Sequence, residues 1–154
     1  GKKELVVVGS WMSPKVFSYE GGRCKEITTG LQQYAGWWSS VQSADVNSDG
    51  KEDLIIGNIG ENFNLKASAN APLKLFLSDF DDNGTIDKIM TKTIEGKDKP
   101  VFMKRDINDQ IPSTKKKALK HQDFATKSIQ DLFSNDKMKT AQMDFINYTS
   151  INIL

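Results

Sequence analysis

A nine-residue pattern of acidic and amide side chains occurs twice in this chain, and it restricts the possible folds. The copy at 45–53 reads Asp-Val-Asn-Ser-Asp-Gly-Lys-Glu-Asp, and the copy at 79–87 reads Asp-Phe-Asp-Asp-Asn-Gly-Thr-Ile-Asp. Side-chain oxygens at positions 1, 3 and 5 converge when the glycine at position 6 turns the chain, position 7 offers a carbonyl oxygen, and the aspartate at position 9 closes the shell. Because Ca²⁺ prefers about six to eight oxygen ligands, the pattern predicts two calcium loops. The alternative is a pair of metal-free turns, since aspartate, asparagine and glycine favour turns by themselves.

The residues that follow each loop exclude an EF-hand. An EF-hand loop ends in a bidentate glutamate at position 12, whereas this chain has Ile56 and Met90 there. Apolar and β-branched runs follow the loops directly, at 54–56 and 88–91, and such runs are typical of strands. Each loop is therefore predicted to lie at a corner between two strands.

A shortened third copy of the pattern lies at the start of the chain. Residues 1–9 align with 50–57, with one additional valine before Gly9, so that Glu4 takes the place of Asp53 and Lys2 that of Lys51. The upstream ligand positions are missing, so we expect no ion there and expect the chain to be a fragment of a longer protein. The glycines at 1, 50 and 84 mark repeat units of about 1–49, 50–83 and 84–154 within a single segment, a spacing typical of propeller blades.

Strand and helix patterns divide the chain near residue 106. Before it, apolar alternation predicts strands, among them a hairpin of 15–19 with 23–28 and a pairing of 88–94 with 100–103 across a turn at 95–97. After it, an apolar stripe predicts a helical insertion at about 111–145, and 147–154 is predicted to form a last strand. The stripe consists of Ala118, Leu119, Phe124, Ala125, Ile129, Leu132 and Phe133. The predicted fold class is mainly β, with about three blades of an incomplete β-propeller, calcium loops and a helical insertion near the C-terminus.

Composition argues against several classes of function. The 21 basic and 20 acidic residues give a net charge of +1, which provides no overall field for nucleic acid or membranes. No apolar run approaches the length of a membrane-spanning helix, so no membrane insertion is expected. His121 is the only histidine, and motifs typical of serine hydrolases, phosphate-binding loops and zinc proteases are absent. We therefore expect no enzymatic activity in this segment.

Two local features leave other functions open. The lysines at 115–117 could contact phosphate groups in a nucleic-acid-binding module, although a solvated helix face is the simpler interpretation. Trp11, Trp37 and Trp38 could present their rings to sugars in a glycan-binding accessory module of a carbohydrate-active protein, although core packing also explains them.

The two loops and their strands, together with residues 36–38 and 57–60, resemble the FG-GAP/VCBS repeats of bacterial secreted and surface proteins, close to the group found with ASPIC/UnbV modules. The tract at 111–120 also resembles the helical insert of that group. The resemblance implies a β-propeller like that of integrin α-subunits, with Ca²⁺ ions bracing the blades. It carries the metal role over to five residues of each loop. These are Asp45, Asn47, Asp49, Lys51 (through its carbonyl oxygen) and Asp53, and Asp79, Asp81, Asn83, Thr85 (through its carbonyl oxygen) and Asp87.

On this resemblance the chain is a calcium-binding structural or binding module of a bacterial protein, with two Ca²⁺ sites and a protein or glycan partner. An extracellular, periplasmic or cell-surface location is implied with it. No acidic ASPIC/UnbV segment is recognisable, so nothing of that module is transferred to this chain. An incomplete propeller leaves sheet edges uncovered. We therefore expect either self-association through 5–8 or 151–154, or burial of the open flank under the helical insertion.

Overall fold

The computed structural model of the chain describes residues 4–118 and 120–150 and the backbone of residues 152–153. The structure is mainly β, with 38% strand and 21% helix. It divides into two compact units, the first formed by residues 1–70 and 145–154 and the second by residues 71–144. Within the described part of the chain, no helix combines the length and the hydropathy that crossing a membrane requires.

Four residues to which the sequence assigns a place in a loop, a stripe or a strand lie outside the described residues. They are Lys2 in the shortened loop, Leu119 in the apolar stripe, and Ile151 and Leu154 in the last strand. The last strand predicted at 147–154 is shorter than expected: residues 147–150 are not part of a strand, and the backbone of 152–153 pairs antiparallel with residues 55 and 56.

The first unit is built from short antiparallel strands. Its described strands are β1 (Glu4–Val7), β2 (Ser10–Met12), β3 (Lys15–Glu20), β4 (Arg23–Ile27), β5 (Gly36–Trp37), β6 (Ser40–Ala44), β7 (Asp53–Gly57) and β12 (Asn152–Ile153). Their orders within the sheets are β1-β3-β4, β2-β5 and β12-β7-β6. The hairpin predicted at 15–28 is confirmed, because β3 pairs with β4 and the chain turns at Gly21 and Gly22, both with positive φ. One turn of 3₁₀ helix, Leu31–Gln33, follows this hairpin.

The core of the first unit forms around Trp38. Val16, Leu31 and Ile56 are buried with it, and Trp38 itself is only 3% exposed. The indole Nε1 of Trp38 donates a hydrogen bond to the carbonyl oxygen of Tyr34 at 3.1 Å, so the buried ring keeps a partner for its polar atom. Of the three tryptophans, Trp38 thus follows the core-packing interpretation.

Glycine is required at position 36 by a close approach of side chains. A Cβ atom on Gly36 would lie 2.8 Å from Nδ2 of Asn58 and 2.9 Å from the Trp38 ring. Asn58 is buried and fully engaged, because its Oδ1 accepts from the backbone N–H groups of Trp37 and Ile59 and its Nδ2 donates to the carbonyl oxygen of Tyr148. Its amide therefore has little freedom to move away from an added methyl group.

The second unit contains a longer sheet and a helical segment. Its strands are β8 (Leu73–Ser78), β9 (Asp87–Ile94) and β10 (Lys97–Pro100), and the first residues of β11 (Gln142–Ile146) also belong to it. The strand order is β10-β9-β8-β11. The helices are α1 (Lys104–Gln110), α2 (His121–Thr126), α3 (Ile129–Leu132) and α4 (Asn135–Thr140), with a 3₁₀ helix at Pro112–Lys116.

The apolar stripe predicted for the helical segment supplies half of the buried residues in the second unit's hydrophobic cluster. Its described members Ala118, Phe124, Ile129, Leu132 and Phe133 are buried and pack in one cluster with residues of β8, β9 and α1, whereas Ala125 is exposed. The helical segment begins earlier than predicted, at residue 104, and ends at residue 140 rather than 145. Residues 142–146 are a strand instead, in which residue 146 is fully buried and residues 143 and 145 are exposed.

The hairpin after the second loop is tighter than its sequence suggested. Glu95 and Gly96 both have positive φ, 51° and 74°, as a two-residue type I′ turn requires. With so short a turn, the partner of β9 starts immediately, at Lys97, and ends at Pro100. The predicted partner at 100–103 is therefore wrong in register.

A buried carboxylate joins β8, the β9–β10 hairpin and α3. Asp98 accepts hydrogen bonds from Lys74 Nζ at 2.8 and 2.9 Å, from Thr93 Oγ1 at 2.9 Å and from Gln130 Nε2 at 3.2 Å. Burial raises the pKa of Asp98, but these hydrogen bonds outweigh it and hold the pKa below its ordinary value.

Candidate metal centre

The two predicted loops, called loop 1 (residues 45–53) and loop 2 (residues 79–87), have the same position in their hairpins. Loop 1 connects β6 to β7, whose pairing ends at Ala44 and Asp53, and loop 2 connects β8 to β9, whose pairing ends at Ser78 and Asp87. The prediction that each loop lies at a corner between two strands is confirmed.

The backbone turns in the same way in both loops. Position 4 is left-handed in each, with φ of 61° at both Ser48 and Asp82, and the glycine at position 6 has φ of 81° at Gly50 and 82° at Gly84. Two left-handed residues so close together bend the chain sharply, and glycine accepts this conformation without strain. The equal spacing in the sequence therefore produces equal geometry.

The aspartate at position 1 receives backbone hydrogen bonds from across its loop. Asp79 Oδ2 accepts from Gly84 N at 2.8 Å and Oδ1 accepts from Asn83 N at 3.0 Å. In loop 1 the two carboxylate oxygens of Asp45 accept from the N–H groups of residues 50 and 49 at 2.9 and 3.1 Å. The hydrogen bond from Gly84 is the main cause that holds the pKa of Asp79 below its ordinary value.

The aspartate at position 9 is tied back to position 2 in both loops. Asp53 Oδ2 accepts from Val46 N at 3.1 Å, and Asp87 Oδ2 accepts from Phe80 N at 3.0 Å. Asp87 is only 3% exposed, and its second oxygen accepts from Gln110 Nε2 on α1 at 3.3 Å. Backbone N–H groups thus fix the orientation of the carboxylates at positions 1 and 9 in each loop.

Three carboxylates converge in loop 2. One oxygen each of Asp79, Asp81 and Asp87 lies within 4.8 Å of the other two. Oδ1 of Asp81 is buried and has no hydrogen-bond partner. A buried carboxylate oxygen without a donor is costly, and a cation shared with the surrounding oxygens would satisfy it. An all-oxygen set of this kind suits a hard divalent cation.

Loop 1 differs from loop 2 at position 3. Asn47 replaces the aspartate there, and its Oδ1 accepts from Asp49 N at 2.9 Å, so this oxygen already has a donor within the loop. Among the described residues, the carboxylates of Asp45, Asp49 and Asp53 do not form a group as close as that of loop 2. The two loops have the same backbone conformation, but their side-chain oxygens lie closer together in loop 2 than in loop 1.

Positions 5 and 7 complete the predicted ligand set. Asn83 Oδ1 accepts from Thr85 N at 2.7 Å, and Asp49 Oδ1 accepts from Lys51 N at 2.8 Å. These four residues lie in the exposed part of their loops. The side chains at position 5 are therefore oriented by local hydrogen bonds and keep further acceptor capacity.

A lysine that the sequence pattern did not indicate lies beside loop 2. Lys137, on α4, donates from Nζ to the carbonyl oxygen of Asp79 at 2.6 Å and to the carboxylate of Asp82. The hydrogen bond with Asp82 raises the pKa of Lys137. Because 58 residues separate Lys137 from Asp79, no local signal in the sequence could have revealed this contact. No local signal indicates the contact of Gln110 with Asp87 either, since 23 residues separate them.

The residues that suggested nucleic-acid binding and glycan binding are not part of loop 1 or loop 2. Lys117, the last residue of the lysine tract, donates to the carbonyl oxygen of Leu132 and lies 5.3 Å above the ring of Phe133. This lysine is therefore engaged within its own unit. Trp11 and Trp37 are half-buried and meet edge to face, with ring centroids 5.4 Å apart.

Comparison with protein families finds an FG-GAP repeat at residues 37–71. The matched stretch begins at Trp37 and includes β6, loop 1 and β7. No curated protein and no solved structure matches the chain. FG-GAP repeats are typically non-catalytic and are consistent with a binding or structural module. The chain therefore contains an FG-GAP repeat in the stretch that carries the first of its two acidic loops.

Proposed function

We propose that this chain is a calcium-binding structural module in which Ca²⁺ at loop 1 and loop 2 joins the ends of paired strands. The observation that carries the proposal is the convergence of Asp79, Asp81 and Asp87, with one oxygen of Asp81 buried and unpartnered. Three carboxylates so close together repel one another, and a divalent cation would remove this repulsion.

Calcium fits these loops better than the other common divalent cations. All the candidate ligands are oxygen atoms, whereas zinc sites are built mainly from cysteine and histidine. Mg²⁺ demands near-ideal octahedral geometry and sheds its waters reluctantly, while Ca²⁺ accepts the irregular shell that a single short loop can supply. We therefore propose Ca²⁺ as the cofactor of both loops.

Loop 2 is proposed to be the tighter of the two sites. Its position-3 oxygen has no competing donor, while the equivalent oxygen of Asn47 accepts a hydrogen bond from Asp49 N. Asp87 is also more deeply buried than Asp53, and burial strengthens the interaction between a carboxylate and a cation.

Thermal unfolding in EDTA, millimolar CaCl₂ and millimolar MgCl₂ tests the proposal. Ca²⁺ should raise the melting temperature, because it binds the ordered loops of the folded chain, and Mg²⁺ should have a smaller effect. An identical melting temperature in EDTA and in calcium would refute the assignment.

Single substitutions assign the ions to the loops. By titration calorimetry, Asp81→Ala should remove the tighter site and leave the weaker one, while Asp49→Ala should do the reverse. Glu52→Gln is the matched control, since it removes a carboxylate from position 8 of loop 1, which is not a ligand position. Glu4→Ala should also leave the stoichiometry at two. If Asp49→Ala and Glu52→Gln weaken calcium binding equally, loop 1 attracts cations only through its net charge.

We further propose that the module is part of an incomplete β-propeller with a scaffolding or ligand-binding role and no catalytic role of its own. The FG-GAP repeat at 37–71 supports this architecture. The VCBS-like resemblance of the loops supports a bacterial exported protein, located outside the cell, in the periplasm or on the surface. Fractionation of cells that express the intact protein, with detection by antibody in each compartment, tests the location.

A second candidate function is glycan binding, and the arrangement of aromatic rings in the first unit favours it. Trp37 contacts both Trp11 and Phe63 edge to face, with centroids 5.4 and 5.7 Å apart, and all three residues are half-buried. Trp11 has a positive φ of 62°, which is rare for a bulky residue and is often found where a side chain is positioned for a ligand. Binding to a glycan array that is lost in Trp11→Ala but retained in Tyr19→Ala, an exposed aromatic residue elsewhere, would favour this function.

A further inference from the structure

A cavity of about 570 Å³ lies in the second unit, away from loop 2. It is lined by the end of β9, by β10, by residues 102–105 and by α2. Its apolar lining is unusually accessible, because Ile94, Phe102 and Met103 are 42%, 40% and 76% exposed. Phe124 forms the buried part of the lining. Large apolar side chains exposed together around a concavity indicate a surface that gains free energy when it is covered.

The polar lining of the cavity carries one sign of charge. The charged residues that line it are Lys99, Lys104, Arg105 and Lys127, and His121 also contributes to the lining. None of the described lining residues is an aspartate or a glutamate. Asp109 lies 3.7 Å from Nε of Arg105, but both side chains are largely exposed, and such a pair is weak enough to yield to a bound anion. Asp123, a second nearby carboxylate, is not part of the lining and accepts a hydrogen bond from the backbone N–H of Lys120.

We propose that this cavity binds a small anionic amphiphile, a molecule with one acidic head group and an apolar tail. The tail would cover Phe102, Met103 and Phe124, and the head group would lie among the side chains of Lys99, Arg105 and Lys127. The basic side chains of the lining favour an acidic head group, and its apolar side chains favour a tail. The proposal is independent of calcium binding.

The size of the cavity favours a small molecule over a protein partner. Small-molecule sites typically enclose about 300–1,000 Å³, a range that includes this cavity. A stable protein partner would need roughly 800 Å² of surface on this chain. A concave lining also argues against simple adsorption to a membrane, which favours apolar residues that protrude.

Calorimetric titration of the whole chain at pH 7 with octanoate, octyl sulfate, 1-octanol and octylammonium tests the proposal. Octanoate and octyl sulfate should bind with a stoichiometry of one, and the neutral and cationic analogues should bind at least tenfold more weakly. From hexanoate to decanoate, all below their micelle concentrations, the affinity should rise roughly fourfold for each methylene group that is buried. The comparison of octanoate with octyl sulfate distinguishes a carboxylate from a sulfate-like head.

Two variants separate the charged and apolar parts of the site. Arg105→Glu combined with Lys127→Glu should lower the octanoate affinity at least tenfold, while Phe102→Ser should mainly reduce the dependence on chain length. Lys66→Glu, at an exposed lysine of the first unit, is the control and should change nothing. Arg105 is 85% exposed in its side chain, so its substitution should not disturb folding, which circular dichroism checks.

Three results would overturn the proposal. The first is equal binding of all four octyl compounds, which would mean non-specific adsorption. The second is sedimentation of the chain with phosphatidylglycerol vesicles when octanoate does not bind, which would make the surface a membrane contact. The third is an octanoate affinity that the double charge reversal leaves unchanged.

Discussion

Nζ of Lys137 lies 2.6 Å from the carbonyl oxygen of Asp79, so a lysine on α4 places a positive charge at the edge of loop 2. The same amino group contacts the carboxylate of Asp82. A cation bound by Asp79, Asp81 and Asp87 would be repelled by this charge. The contact therefore links the helical segment to the affinity of the proposed metal site.

We predict that Lys137→Met raises the Ca²⁺ affinity of loop 2 a few-fold, since the side chain of Lys137 is 25% exposed and solvent partly screens its charge. The affinity of loop 1 should not change. Lys139→Met, at an exposed lysine on the same helix, is the control. Calcium titrations at low and at 0.5 M salt measure the effect, which should shrink at high salt. An unchanged affinity in Lys137→Met would show that this lysine has no electrostatic influence on the loop.

The buried carboxylate Asp98 should contribute substantially to the stability of the second unit. Asp98→Asn removes the charge that Lys74, Thr93 and Gln130 contact, and hydrogen bonds to charged groups contribute about 1.5–3 kcal/mol each. We expect a loss of about 2–3 kcal/mol in the free energy of unfolding by urea. Asp109→Asn, which removes an exposed ion pair with Arg105, should cost less than about 0.5 kcal/mol. Equal losses in the two variants would contradict the structural role of Asp98.

The contribution of Asp98 should also depend on pH. Because its pKa is lower in the folded chain than in the unfolded chain, the folded state binds the proton less readily. The stabilisation is complete above the unfolded pKa of about 4 and is lost as the pH falls through the lower, folded value. The difference in unfolding free energy between the wild type and Asp98→Asn should therefore be constant from pH 5 to 7 and narrow below pH 4. A difference that is unchanged at pH 3 would contradict the lowered pKa.

Gly36→Ala should destabilise the first unit, because the new methyl group would overlap Asn58 Nδ2 and the Trp38 ring. Overpacking of this kind costs about 1–3 kcal/mol. Gly9→Ala is the matched control, since the nearest atom there is the flexible Sδ of Met12, at 3.1 Å. Chemical unfolding followed by tryptophan fluorescence reports on this unit, which contains all three tryptophans. Similar midpoints for the two variants would show that Asn58 and Trp38 can move apart.

The first strand is a candidate for self-association. β1 lies at the edge of the β1-β3-β4 sheet, and Leu5 and Val7 are 51% and 36% exposed. Apolar edge strands pair readily with other chains, whereas lysines on an edge discourage such pairing. Leu5→Lys with Val7→Lys should therefore convert an associated species to a monomer in light scattering. Lys15→Ala, on the neighbouring strand, should not. A chain that is already monomeric at high concentration would contradict the proposed edge pairing.

The backbone of the two loops could be predicted from sequence because their information is local. A glycine at position 6 and oxygen side chains at fixed offsets determine the turn, and the strands after the loops have β-branched, apolar residues. Gly50 and Gly84 accordingly have nearly the same φ. The burial of most of the apolar stripe was predictable because its residues are hydrophobic, whereas its division between α2, which carries Phe124, and α3, which carries Ile129 and Leu132, was not.

The remaining features depend on contacts between residues distant in sequence. The charge of Lys137 beside loop 2 and the hydrogen bond from Gln110 to Asp87 join residues 58 and 23 positions apart, and nothing near either partner indicates them. The predicted register of the strand that pairs with β9 was wrong because the turn depends on Glu95. Its positive φ is not specified by its residue type, since it is not a glycine. The network of Asp98 likewise arises only when a hairpin, a strand and a helix have packed together.

The side chain of Asn147 accepts from the N–H of Ala35 and donates to the carbonyl oxygen of Gln33, across 112 and 114 residues of sequence. Tyr148 receives the amide of Asn58 in the same region. During synthesis on the ribosome, residues 71–144 are therefore all available before the first unit has its last segment. The second unit can fold as a continuous stretch while the first unit waits, with its Trp38 region lacking these partners. Until residues 145–154 have been synthesised, the FG-GAP repeat would lack these partners and would benefit from protection by a chaperone.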